Sequence, residues 1–196
     1  MTIKNAQTEH EIHPILNERW SPRAFSGESV SEDAIMTCFE AARWASSSMN
    51  DQPWHFLFVQ RDDEAAFKRE VECLAPSNQE WAHAAGAIVF VLVRDLQTYD
   101  GKPNRYAEYD TGQSVSQMIV QAWHLGIVAH QMGGFSREKV AESFTLADGH
   151  RPHVAIALGP IGSPDSLSEE QRANEVSPRT RRPLALSVSN GSMSLK

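Results

Sequence analysis

Two basic clusters and one run of hydroxyls are the residues of this chain whose types and spacing could do chemistry. Arg19-Trp20-Ser21-Pro22-Arg23 and Arg179-Thr180-Arg181-Arg182 carry guanidinium groups, which bind anions through planar, charge-assisted hydrogen bonds. Ser46, Ser47 and Ser48 put three hydroxyls and three backbone N–H groups in a row, and Asn50 tolerates turn geometry. Pro53 then pushes Gln52 out of helical space, so the serines sit in a polar, donor-rich loop. Gly133 and Gly134 form a turn where backbone could approach a ligand with no side chain intervening. Taken one at a time, each feature also has an ordinary reading: a surface charge, a solvated connection, a strand-to-helix turn.

The elements that must position these groups follow from periodicity. Ile35, Cys38, Phe39 and Ala42 recur on one helical face, so a core helix leads into the serine loop, and His55 to Gln60 reads as a buried strand after it. The loop thus joins two core elements, where a scaffold holds a ligand rigidly. A first helix is predicted from Pro14 to about Trp20, which puts Arg19 at its end. Ser29 or Ser31 caps the next one, Ser29 with Glu32 at capping-box spacing. A helix with Phe67, Val71 and Leu74 on one face is predicted over Asp62 to Leu74. A short helix through Trp81 and a central strand, Ala87 to Val93, follow.

Arg94 to Arg105 contains Asp, Gly, Pro and Asn and reads as a surface connection, a lid over a site being one form of it. From about Tyr106 a long helix carries Val115, Met118, Ile119, Ala122 and Trp123 as a broad apolar stripe to Gly126. Strands over Ile127 to Met132 and His153 to Gly159 flank a helix capped by Ser136 and running through Phe144. Residues 160–196 show little periodicity and are predicted to be a mostly extended arm, with at most one helical turn near Glu169 to Arg172. Trp44, Trp54 and Trp123 are expected in the core, and the histidines at the surface or at strand ends. Strands interleaved with longer helices make an α+β chain, read as one domain over residues 1–196.

At 196 residues, 41% hydrophobic and 22% charged, the composition is that of an ordinary globular protein. A formal charge of −7 argues against a nucleic-acid partner, and the arginine clusters are too short for a polybasic tract, so they serve something local. Cys38 and Cys73 have no CxxC pairing and read as core thiols, with neither a disulfide framework nor a zinc site. His150 and His153 flank Arg151-Pro152, which spoils a helical metal pair, and no metal is expected. The longest apolar run, Ala87 to Val93, is too short to span a bilayer, and Met1 to His13 has no signal-like apolar stretch. No membrane partner and a cytoplasmic location are expected. No GxGxxG, P-loop, HExxH or GxSxG is present.

In combination, RWSPRAF (Arg19 to Phe25), EAARWASSSMNDQPW (Glu40 to Trp54), Gly133-Gly134-Phe135 and RTRRP (Arg179 to Pro183) resemble the nitroreductase family of FMN-dependent oxidoreductases. The blocks come in the family's order across most of the chain, and their combination is specific although no single block is. The resemblance implies a mixed central sheet flanked by helices and an intertwined homodimer. It further implies two FMN sites at the dimer interface and a C-terminal arm crossing the partner. By the same resemblance Arg19, Arg179 and Arg181 hold the FMN phosphate, and Trp20 and Ser21 belong to the same cofactor block. Arg23 faces the flavin N1 and O2 edge, where a fixed cation favours reduction. Ser46, Ser47, Ser48 and Asn50 are implied to contact the flavin from the other subunit, and the Gly134 N–H to point at N5. Gly134 and Arg23 are therefore the expected catalytic positions. Ser46 stands where the relatives usually have proline, and Gly133 where they commonly have a carboxylate.

The implied reaction is ping-pong, with NADH or NADPH as transient electron donor and then a nitroaromatic, quinone or similar small acceptor. Dehalogenation, ring dehydrogenation and flavin breakdown occur on the same fold and stand as alternatives, as does a non-catalytic flavin-binding protein.

Overall fold

The computed structural model describes residues 4–191. At its centre is β2 (Ala87–Arg94), an apolar run buried on both faces. It pairs antiparallel with β1 (Trp54–Gln60) on one side and with β4 (His150–Gly159) on the other. β3 (Val128–Met132) pairs antiparallel with β4, which gives the order β1-β2-β4-β3. The expected mixed sheet is therefore corrected: among the described residues it is antiparallel throughout. The cause is where β4 goes. β2 and β3 run in the same direction and are joined through a helix, as parallel neighbours would be, but β4 enters between them in the opposite direction.

Alternation along β2 divides the core into two layers. Ile88 and Phe90 share a cluster with Phe67 and Val71 of α3 (Glu64–Val71), Trp81 of α4 (Pro76–Ala82) and Val140 of α6 (Arg137–Ser143). Ala87, Val89 and Val91 pack with Ile35 and Cys38 of α2 (Glu32–Arg43) and with Val115 and Met118 of α5 (Ala107–His124). Each large apolar side chain buried in these layers contributes roughly 1.5–3 kcal/mol. The result is an α+β chain with helices on both faces of the sheet.

Several boundaries differ from the sequence reading. α1 (Pro14–Glu18) stops before Arg19, whose backbone turns extended. Ser31 caps α2, its hydroxyl accepting from Ala34 N at 3.3 Å, while Ser29 Oγ instead donates to Asp62 Oδ1 at 2.6 Å. β4 begins at His150 and tolerates Pro152 because the ladder is bulged there. Trp44, expected in the core, is 71% exposed. It follows the last residue of α2 and falls off the buried Ile35, Cys38 and Ala42 face, with its indole N–H donating to Glu40.

The largest difference is α7 (Glu169–Val176), about two turns of helix where at most one was expected. Ser168 caps it, and Glu169 and Glu170 in its first turn suit the helix dipole. Its one buried residue is Glu175, so it has no apolar stripe to announce it. Before α7 the chain lies tightly on the RWSPRAF segment, with Phe25 bridged to Ile161 and Gly162 N donating to Ala24 O at 2.8 Å. A Cβ at Gly162 would collide with the Phe25 carbonyl, so this close approach requires glycine. Among the described residues no helix is long and apolar enough to cross a membrane.

Candidate functional site

Arg19, Arg179 and Arg181, from opposite ends of the chain, line one cavity of about 320 Å3. Its other walls include Gly112, Ser116 and Val120 on α5 and Gln131 on β3. None of the three arginines pairs with a carboxylate among the described residues. Arg179 donates to the carbonyls of Lys4, at 2.9 Å, and Asn17, and Arg181 to its neighbour Thr180 O at 2.8 Å. Burial, and then the charge of Arg181, push the Arg19 guanidinium below its usual pKa; Arg179 is lowered by burial and by both of the others. Three cations with no counter-charge raise one another's energy, and an anion in the cavity would relieve all three.

The loop that follows Arg19 is gripped from two sides. The buried Glu175 carboxylate accepts from Arg23 N at 3.0 and 3.1 Å and from Ala24 N at 3.0 Å. On the other side, His130 Nδ1 lies 3.0 Å from the carbonyls of both Ser21 and Pro22, which assigns it the proton. Burial, then the neighbouring Arg23 charge, bring His130 down to about 4, so its ring is neutral at physiological pH. It packs on Trp81, with ring centroids 4.6 Å apart, and the Arg23 guanidinium lies 5.9 Å from the Trp81 ring centroid. Ser21 is exposed, but the Trp20 side chain is turned into the core with Lys4 Nζ 4.3 Å from its ring centroid. Trp20 therefore lies outside the walls of the arginine cavity.

The serine loop lies against the first two turns of α5, in a separate concavity of about 320 Å3 shared with Tyr106, Tyr109, Asp110 and Gln113. Two of its donors and one of its hydroxyl acceptors are engaged within the chain. Ser46 Oγ donates to Gln113 Oε1 at 3.0 Å, Ser48 N to Asp110 Oδ2 at 2.9 Å, and Ser47 Oγ accepts from Gln52 N at 3.0 Å. Met49, Asn50 and Gln52 have φ of 54°, 55° and 48°, in the left-handed region that only Asn among them tolerates readily.

What holds that backbone is Asp51. Its Oδ1 accepts from Thr98 N at 2.8 Å and from the Thr98 hydroxyl, and its Oδ2 from Asn104 Nδ2 at 2.9 Å and Arg94 Nη2 at 3.2 Å. Burial by itself would raise the Asp51 pKa, but these donors, Thr98 foremost, hold it below the usual value. The 94–105 segment is thus no free lid. It is a closed loop, with Gln97 N donating to Lys102 O at 2.8 Å, clamped to the serine loop through one carboxylate.

Gly134 follows β3 and is exposed. Its carbonyl accepts from Ala75 N at 2.9 Å and Asn78 Nδ2 at 3.0 Å, while its N–H has no hydrogen bond among the described residues. A Cβ here would sit 3.0 Å from Asn78 Nδ2 and 3.2 Å from Ala75 Cβ, so a side chain would be crowded. Gly133 has open space around it.

The nitroreductase family model matches residues 16–77 and 64–160, which takes in most of the chain. The chain belongs to the nitroreductase family. A 15.4 kDa protein of Mycolicibacterium smegmatis, described as uncharacterized, is 34% identical over 113 residues, 58% of this nitroreductase-family chain and 74% of that protein. An Archaeoglobus fulgidus protein provisionally named an NADH dehydrogenase/NAD(P)H nitroreductase is 30% identical over 129 residues, 66% of this chain and 71% of its own. Among solved structures, one described as an oxidoreductase containing FMN superposes with a TM-score of 0.92 at 33% identity, covering 100% of both chains. A nitroreductase family protein of Clostridium difficile, at 21% identity, TM-score 0.68, and 91% and 97% coverage, shares the fold.

Of the residues singled out in the sequence, the structure brings Arg19, Arg179 and Arg181 together and places Ser46, Ser47 and Ser48 elsewhere. Glu175, His130 and Asp51 escaped notice. A buried carboxylate, or a half-buried imidazole, that works through backbone partners leaves no spacing motif.

Proposed function

We propose that this protein is an FMN-dependent oxidoreductase that takes electrons from NADH or NADPH and passes them to a small acceptor such as a nitroaromatic or quinone. The observation that carries the reading is the cavity walled by Arg19, Arg179 and Arg181 on a nitroreductase chain, three cations with no carboxylate partner among the described residues. A phosphate monoester is the anion that fits: its dianion answers several guanidiniums at once, each contact contributing roughly 1.5–3 kcal/mol when desolvated. The relative described as an oxidoreductase containing FMN, and relatives named as NAD(P)H nitroreductases, support the choice of cofactor and donor.

When bound, FMN supplies hydride acceptance and release at N5. Arg23 would hold a fixed positive charge where negative charge develops, and Gly134, whose N–H has no hydrogen bond among the described residues, would offer that donor to the flavin. No side chain need act as a nucleophile; the chain contributes orientation, charge and exclusion of water.

Ser46, Ser47, Ser48 and Asn50 serve the flavin of a second copy in this reading through the shape of the loop they form, Ser46 Oγ itself being turned to Gln113; their concavity and the arginine cavity share no wall residue. Trp44, Met49 and Tyr109, beside that loop, are 71%, 76% and 71% exposed, apolar surface suited to a homodimer contact.

The test is the visible spectrum of the protein after FMN is added and the excess washed away, followed by anaerobic NADH and NADPH. A retained flavin band that bleaches with either donor is expected. No retained flavin overturns the reading; a flavin that neither donor bleaches replaces it with a non-catalytic flavin-binding protein.

A further inference from the structure

We infer that Glu175 is the positioning residue that assembles the phosphate-binding arginines from the two ends of the chain; this rests on the FMN reading above. Arg19 and Arg181 or Arg179 repel one another, so something other than their mutual contacts must hold their segments together. Glu175 stands four residues before Arg179, and Arg23, whose N–H it accepts, four residues after Arg19. Glu175 is 3% exposed, and its carboxylate takes two consecutive backbone N–H groups, Arg23 and Ala24, in three contacts of 3.0–3.1 Å. Charge-assisted bonds of this kind are about twice as strong as neutral ones. They tie α7, and the arginines just beyond it, to the loop that begins at Arg19.

A second strand of contacts runs the same way. The Glu175 carbonyl accepts from Lys4 Nζ, and the Lys4 carbonyl accepts from Arg179 Nη1 at 2.9 Å. Arg179 is thereby aimed from the segment that α7 itself anchors. Glu175 does all this without lining the arginine cavity: it faces a separate pocket with Lys4 and Trp20. Its negative charge therefore holds the scaffold in place while the cavity keeps three unneutralised cations for a ligand.

The experiment compares FMN with riboflavin, which lacks the phosphate, on the full chain and on Glu175→Gln, by fluorescence titration. The amide keeps the shape of the side chain but removes its charge. FMN affinity is expected to fall about tenfold or more while riboflavin affinity changes by less than about threefold, so that discrimination between the two collapses. An unchanged FMN affinity overturns the inference, and so does an equal loss for both ligands, which a merely structural role would give. A parent protein that binds no FMN overturns the functional reading and the inference with it. Hydrogen exchange on the parent alone tests the latch without any variant: the Arg23 and Ala24 amides are expected to be protected, and further protected by FMN. Exchange there at the rate of an exposed loop overturns it.

Discussion

The arginine cavity and the serine loop sit at different stretches of the same helix, α5, and are built on opposite terms. The cavity gathers charges that have no carboxylate partner among the described residues, so its energy falls when an anion enters. The serine loop is tied down inside the chain, Ser46 Oγ donating to Gln113, Ser48 N to Asp110 and Ser47 Oγ accepting from Gln52 N, and Asp51 clamps its strained backbone to the 94–105 loop. One region is poised for a ligand and costs stability; the other is finished as a shape and presents that shape outward. Strain and unneutralised charge are two different ways to store readiness for function. They should therefore respond to mutation in opposite senses.

The largest effect is expected at Asp51. Asp51→Ala leaves Arg94, Thr98 and Asn104 facing a buried void with no counter-charge, and breaking such a group costs about 3–5 kcal/mol. Chemical denaturation should show the loss at neutral pH. Because the Asp51 pKa is depressed, its contribution is present above the ordinary carboxylate value and vanishes as pH falls through its folded value. The gap between parent and variant should narrow below about pH 4. A gap that widens in acid would show that the carboxylate is not the clamp. Arg19→Ala should do the reverse. FMN affinity falls about 10- to 100-fold, from a lost contact of roughly 1.5–3 kcal/mol, while the apo protein keeps its stability or gains slightly because a repulsion is gone. If Arg19→Ala destabilises the apo protein as Asp51→Ala does, the contrast between the regions fails.

The unequal legibility of the two regions has the same origin. The arginines and serines were readable because a site that meets a ligand uses side chains of fixed type, and the core helices and strands because burial imposes a period on the chain. β2 was plain from its apolar run, and α5 from its stripe. What stayed hidden was whatever works through backbone atoms or through distant partners. α7 packs through Glu175 and so has no apolar period, and the entry of β4 between β2 and β3 is a long-range choice that no local pattern records. The left-handed residues Met49 and Gln52 are hidden for a further reason: neither residue type favours that geometry, and contacts made by Asp51, Ser47 and Asp110 hold it.

His130 offers a pH test confined to the arginine side. Its folded pKa, brought to about 4 by burial and by Arg23, lies below the unfolded value of about 6.5, so the unfolded chain binds the proton first as pH falls. Stability should therefore be fully retained above about pH 6.5 and decline toward pH 4, by roughly 2–3 kcal/mol from this group. His130→Gln keeps a donor for the Ser21 and Pro22 carbonyls but cannot titrate, and should remove that part of the slope. Urea melts of both proteins at pH 5 and pH 7 isolate the difference, since all other groups are shared. Parallel slopes would mean that His130 is not buried neutral beside Arg23.

The smallest effect is expected at Ser46, and it sharpens the comparison from the other side. Its hydroxyl makes one contact, to Gln113 Oε1 at 3.0 Å on an exposed surface, where water replaces either partner at little cost. Ser46→Ala should change stability by less than about 0.5 kcal/mol and flavin affinity by less than about twofold. The strain in the loop lies downstream, at Met49 and Gln52, and the clamp on it at Asp51, so removing Ser46 Oγ leaves both intact. A loss of flavin comparable to that of Arg19→Ala would mean that the hydroxyl itself, and not the shape of the loop, meets the ligand. The serine loop would then belong with the arginines, as a region whose donors are held in reserve.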